Sequence, residues 1–119
     1  MYEIFTNGRF EVEPENEQAF VKAWSELAAW ISQRPGSRGV RLVRDLRNAG
    51  RFVSNGQWND ADAVRAFKSS PEFKERLGRV VRHAREFEPT EHVTLVKATA
   101  GTVETLAPPA DLQPIHAPT

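Results

Sequence analysis

The residue types in this chain that could do chemistry are its tryptophans, two of its histidines and a row of arginines. Trp24, Trp30 and Trp58 are large flat surfaces. Trp24 and Trp58 lie on apolar stripes. They read first as packing and second as one wall of a pocket for an aromatic molecule. His83 and His92 could each serve as a general base where one faces such a pocket. Neither has a partner carboxylate at metal-ligand spacing, so no metal site is expected. Arg76, Arg79 and Arg82 recur at helical spacing, with Lys74 and Arg85 close by, among Glu72, Glu75 and Glu86. That mixture describes a solvated, salt-bridged face, or a guanidinium fringe that draws an anionic or phenolate substrate to a pocket mouth. Arg44 falls on the apolar side of its stretch, so it pairs with a carboxylate or reaches a ligand. No dinucleotide, P-loop, nucleophile-elbow or zincin motif occurs.

Composition narrows the classes further. Sixteen basic and sixteen acidic side chains cancel, which gives no global electrostatic reason to expect nucleic acid or an anionic membrane as partner. Cysteine is absent, excluding disulfides, thiolate metal sites and a cysteine nucleophile. No apolar run approaches the roughly 20 residues of a membrane span. The opening MYEIFTNGRF lacks the basic-then-apolar pattern of a signal peptide, so a cytoplasmic protein is expected.

These groups need a frame to hold them. Residues 2–13 alternate, with Tyr2, Ile4, Phe10 and Val12 on one side, and predict a half-buried strand. Gly8 interrupts that side, as a bulge or as room for something to approach. Pro14 suits a helix start, and Phe20, Trp24, Leu27 and Ile31 predict an amphipathic helix ending at Arg34-Pro35-Gly36. Residues 38–47 and 51–58 alternate around Asn48-Ala49-Gly50 and predict an antiparallel hairpin. Phe52, Ser54, Gly56 and Trp58 share one face of it, and Val53, Asn55 and Gln57 the other. Asn59-Asp60 caps a short helix through Phe67. Ser70-Pro71 starts another carrying Phe73, Leu77 and Val80. Pro89 follows its end, and residues 91–99 predict a last strand, with 102–106 as an extension.

The order is strand, helix, strand, strand, split helix, strand. It predicts an α+β, ferredoxin-like domain over residues 1–106, a four-stranded antiparallel sheet with helices on one face. Residues 107–119 are Pro-rich and read as a tail or arm. Phe5, Val43, Val53 and Val93 or its neighbours place apolar groups on the bare face, which a homodimer packed sheet to sheet would cover.

Three segments carry a family resemblance. F-x-V-x-P-E-N-E-x-A-F at 10–20, R-P-G-S-R-G-V-R-L-V-R at 34–44 and Q-W-N-D-A-D-A-V-R-A-F-K-S-S-P-E-F at 57–73 together resemble the antibiotic biosynthesis monooxygenase family. The resemblance spans about residues 2–105. It implies a dimeric α+β barrel with a small-molecule pocket between helices and sheet. Haem-degrading members use an Asn on the first strand, a Trp on the short helix and a His on the next; this chain has Gly8, Phe67 and Leu77 there. Haem degradation is therefore not the expected activity. Polyketide-tailoring members carry an Asn four residues before a strand Trp. Trp58 matches that Trp, Ser54 stands at the Asn position, and Asn55 is one residue late.

The resemblance implies a monooxygenase that needs no cofactor, acting with molecular oxygen on a polycyclic aromatic or quinol-type molecule. Trp58, Ser54 and Asn55 are the candidate catalytic residues, with Ser54 or Asn55 holding the substrate oxygen. Phe10, Arg44, Phe67, Phe73, Leu77 and His83 are the candidate substrate-binding residues. The alternative is a non-oxidative binding protein, cyclase or isomerase on the same fold.

Overall fold

The structure is a computed structural model and describes residues 2–112. Strand β1 (Ile4–Glu11) leads through a 3-10 turn at Pro14–Asn16 into helix α1 (Glu17–Ser32). The hairpin of β2 (Ser37–Arg44) and β3 (Arg51–Trp58) follows, then helices α2 (Ala61–Ser69) and α3 (Pro71–Val81) and strand β4 (Glu86–Val93). The sheet order is β2-β3-β1-β4, antiparallel throughout, with the helices on one face. This is the predicted ferredoxin-like α+β arrangement. Among the described residues no helix is long and apolar enough to cross a membrane.

Local chemistry starts and stops the helices as expected. The Asp60 carboxylate accepts the Ala63 N–H at 2.8 Å and caps α2. The Ser70 hydroxyl accepts the Glu72 N–H at 3.2 Å, and Pro71 opens α3. Gly36 reverses the chain after α1 at φ +84°, and a Cβ on it would lie 2.5 Å from the Ala63 Cβ.

Pairing of β1 with its neighbours sorts the side chains. Ile4, Phe10, Phe52 and Trp58 face the helices and are buried together with Phe20, Trp24 and Leu27 of α1 and Val64 and Phe67 of α2. Phe10 lies 5.0 Å from Phe20 and stacks on Phe87 at 4.8 Å; Phe20 meets Phe52 at 5.2 Å. Such tilted and offset rings contribute about 0.5–1.5 kcal/mol per pair beyond their area burial. Trp58 stacks on Phe67 at 4.5 Å, and Phe67 meets Phe73 at 4.4 Å.

The chain after α3 departs from expectation. The last sheet strand begins at Glu86 rather than at 91, and it runs through Pro89. Read along the sequence, Pro89 looks like a breaker. At a sheet edge its missing N–H costs no ladder bond, and β4 is an edge strand. Residues 96–99 and 102–105 do not continue that strand. They form a separate hairpin, β5 (Val96–Thr99) and β6 (Thr102–Thr105), turned at Ala100 and Gly101 with φ of +50° and +84°. Of the predicted tail, Leu112 is half-buried and packs against the core; residues 113–119 lie outside the described residues.

On the uncovered face of the sheet sit Phe5, Val43 and Val53, as expected. Val93 does not, because it pairs with Ile4 and faces the helices. The buried acid of that face is Glu11, 5 % exposed. Its carboxylate accepts from Arg51 Nε at 2.9 Å and Arg9 at 3.0 Å. The Arg51 hydrogen bond, with the charges of both arginines, holds the Glu11 carboxyl below its usual range against a smaller opposing effect of burial.

Two outcomes follow from this packing. Gly36→Ala combines a left-handed backbone with a methyl–methyl overlap, so it should lower unfolding free energy by about 2–4 kcal/mol. Urea denaturation checks it, and a loss well under 1 kcal/mol would contradict the geometry. Glu11 is depressed, so its stabilisation is complete above the unfolded carboxyl value, about 4.3, and disappears as pH falls through the lower folded value. Glu11→Gln should therefore cost about 1–2 kcal/mol at pH 7, with the gap to the native chain closing below pH 4 in paired denaturation curves.

Candidate functional site

Between sheet and helices lies a cavity of about 260 Å³, near the small end of the range for small-molecule sites. Its floor is the middle of the sheet: Thr6, Gly8 and Phe10 of β1 and Ser54 of β3. Trp24, Leu27 and Ile31 of α1 form one wall, and Phe67, Phe73 and Leu77 from α2 and α3 the other. Phe87 and Pro89 of β4 close the edge.

Gly8 explains how closely the lining packs on the floor. The register of β1 runs unbroken past it, so it is no bulge. A Cβ on Gly8 would come within 3.0 Å of Phe87 Cε1 and Ser54 Oγ and 3.1 Å of Phe10 Cε2. The missing side chain lets two rings and a hydroxyl approach the strand backbone.

Two hydroxyls supply the polarity of the floor. Thr6 Oγ1 accepts the indole N–H of Trp58 at 3.0 Å, which leaves its own proton to donate. The Ser54 hydroxyl has no hydrogen-bond partner among the described residues and can donate to, or accept from, an oxygen on a bound molecule. Lys68 and Lys74 stand at the border of the cavity. Among the described residues no group of three His, Asp or Glu side chains converges as a metal site.

The predicted site residues divide. Phe10, Ser54, Phe67, Phe73 and Leu77 come together on the cavity. Trp58 does not line it. It is 1 % exposed and stands behind Phe67 and Thr6, so it positions a wall ring and a floor hydroxyl. Asn55 is on the opposite face of the sheet, level with Asn7. Asn7 borders the cavity, but its amide is committed to Nδ1 of His92 at 2.6 Å and to the Ser54 carbonyl at 3.4 Å.

Arg44 is elsewhere too. It grips Glu17 through two hydrogen bonds of 3.0 and 2.7 Å, donates to the Ala49 carbonyl at 2.7 Å and lies over the Phe52 ring. The Glu17 hydrogen bond raises the Arg44 pKa further and lowers that of Glu17. Of the two roles open to Arg44, the structure selects the carboxylate pair. His83 borders a shallow depression with Lys22, Glu26 and Arg82, remote from the cavity lining. The arginine row of α3 is the solvated face: Arg79 pairs with Glu75, and Arg76 leans toward Trp30.

Sequence reasoning missed Phe87, because Pro89 two residues on hid its strand alternation. It also missed Lys68, and it grouped Lys74 only with the basic face of α3. The available signal was that each follows a wall phenylalanine, Phe67 and Phe73, on either side of the Ser69-Ser70-Pro71 break.

The same fold occurs in solved structures of low sequence identity. SnoaB, a cofactor-independent oxygenase from Streptomyces nogalater, is 20% identical with a TM-score of 0.69, over 86% of this chain and 100% of that one. A conserved protein of unknown function from Bacteroides thetaiotaomicron is 18% identical with a TM-score of 0.71, over 78% of this chain and 98% of its own. A conserved protein from Methanosarcina mazei is 19% identical with a TM-score of 0.69, over 79% and 92%. At these identities the likeness is one of fold. Among curated proteins no sequence matches the chain. The family model for antibiotic biosynthesis monooxygenases matches residues 4–77, more than half of the 119 residues, and with the shared fold this establishes that the chain belongs to that family.

Proposed function

We propose that this chain is a cofactor-independent monooxygenase that uses molecular oxygen to oxidise a polycyclic aromatic or quinol-type small molecule. The observation that carries the reading is an aromatic-walled cavity with one unengaged hydroxyl, Ser54, on its floor. Family membership supports the reaction class. Oxidation of a ring methylene balances without a further reductant: one O₂ is consumed, the carbon becomes a carbonyl, and one water leaves. The substrate first gives up a proton to solvent as it becomes a carbanion. One electron passes to oxygen, the two radicals combine, and the peroxide takes a proton back before losing water. The protein's part is to hold the rings between Phe10, Phe67 and Phe73, to stabilise the developing oxyanion by donation from Ser54, and to exclude bulk water. Trp58 and Thr6 keep Phe67 and the floor in position.

A second reading is a non-oxidative binding protein. It is favoured by one observation: among the described residues no His, Asp or Glu side chain lines the cavity. A cyclase or isomerase would need a positioned base there. Either reading includes a cytoplasmic homodimer formed through the uncovered sheet face, where Val43 is 49% exposed.

Oxygen uptake with an anthrone or a hydroquinone, with no flavin or metal added, separates the two. The oxygenase consumes one O₂ per anthrone oxidised, and Ser54→Ala lowers kcat/KM about tenfold or more with an unchanged circular dichroism spectrum. Binding of the same aromatics without oxygen uptake supports the second reading. Light scattering tests the dimer: the native chain should have twice its own 13.4 kDa mass, and Val43→Glu should shift it toward monomer. A native monomer at all concentrations would exclude the face-to-face pair.

A further inference from the structure

We infer that the molecule held in this cavity is an aromatic carboxylate, whose acid group is received by Lys74, with Lys68 beside it, while its rings occupy the apolar interior. This rests on the reading of the cavity as an aromatic-ligand site and narrows its ligand class.

Among the described residues the two ammonium groups are the cationic side chains of the cavity lining, and no acid lines it. Their placement follows from the helix break. Phe67 and Phe73 point inward from α2 and α3, which meet at Ser70-Pro71. Lys68 and Lys74 each follow one of these rings in the chain, so the break brings both cations to the lining of one cavity. Lysine suits such a place, since its methylene stem lies along apolar wall while the charge stays at the rim.

Their existing partners differ. Lys68 is engaged by Glu91 of β4. Lys74 has no ion-pair partner among the described residues. The nearby arginines of α3 are occupied, Arg79 with Glu75 and Arg76 at Trp30. An anion whose apolar part enters the cavity therefore meets Lys74 unopposed. A neutral ligand gains nothing from it, and a cationic one is disfavoured. The apolar interior cannot solvate a carboxylate, so the acid end is held at the rim and the ligand enters rings first.

The test is calorimetric titration of the full chain with 2-naphthoate and with its neutral isostere 2-naphthamide. The native chain should bind the acid about three- to tenfold more tightly at low salt, and the preference should shrink as salt is added. Lys74→Met should reduce acid affinity toward that of the amide while amide affinity stays the same, and Lys74→Arg should retain the preference. The double variant Lys68→Met, Lys74→Met should show no preference. Equal affinity of the native chain for acid and amide would overturn the inference while leaving the aromatic cavity intact. If neither compound binds, the cavity reading fails and the inference falls with it.

Discussion

Strand β1 is the constraint on which the rest depends. Each of its residues from Ile4 to Glu11 is paired on both sides, with β3 and with β4. A strand fixed in this way cannot slip by one residue without moving its whole apolar set to the other face. The registers of β3 and β4 are thereby set. So is the level at which Phe52, Ser54 and Trp58, on one side, and Phe87 and Pro89, on the other, meet Gly8 and Phe10. The helices then cover the face that the pairing has made apolar.

The shape of the cavity floor is a consequence of a residue type in the middle of that strand. Every other inward position of β1 carries a side chain, and Gly8 does not. Rings from α1, α2, α3 and β4 surround the space that remains, and each is braced by a neighbour. Phe10 leans on Phe20 and Phe87, and Phe67 on Trp58. The brace places Trp58 one layer behind the surface a ligand would touch. Its indole N–H ends on Thr6, which joins the second layer to the floor. A substitution at Trp58 would thus reach a ligand only by moving Phe67 or Thr6.

Much of the architecture was legible before folding was considered. Alternation in residues 2–13 and 38–58, the apolar stripe of α1, and the caps at Asp60 and Ser70 are local signals, and each sits where its local physics puts it. Pro89 was misread for the same reason. Its meaning depends on whether its strand lies at the edge or the centre of a sheet, which no local window contains. The site was half legible. Ser54, Phe67, Phe73 and Leu77 are separated in the chain by regular periods and converge as those periods require. Arg44 and Asn55 were misplaced as ligand contacts, the first because Glu17 lies 27 residues away in sequence and 2.7 Å away in space, the second because unbroken register leaves it on the far face.

The sequence by itself determined the order of elements through α3, the inward face of each of those, the family, and a balance of charge that gives no electrostatic reason to expect a polyanionic partner. These depend on periods of 2 and 3.6 and on residues that start or stop an element, which are properties of neighbours in the chain. Tertiary structure alone decided which aromatic walls the cavity and which braces it, that Gly8 admits close neighbours rather than making a bulge, and that Lys68 and Lys74 both line the cavity. Those outcomes are set by the distance between side chains on different elements, and that distance exists only once β1 has paired on both edges and the helices have closed over it.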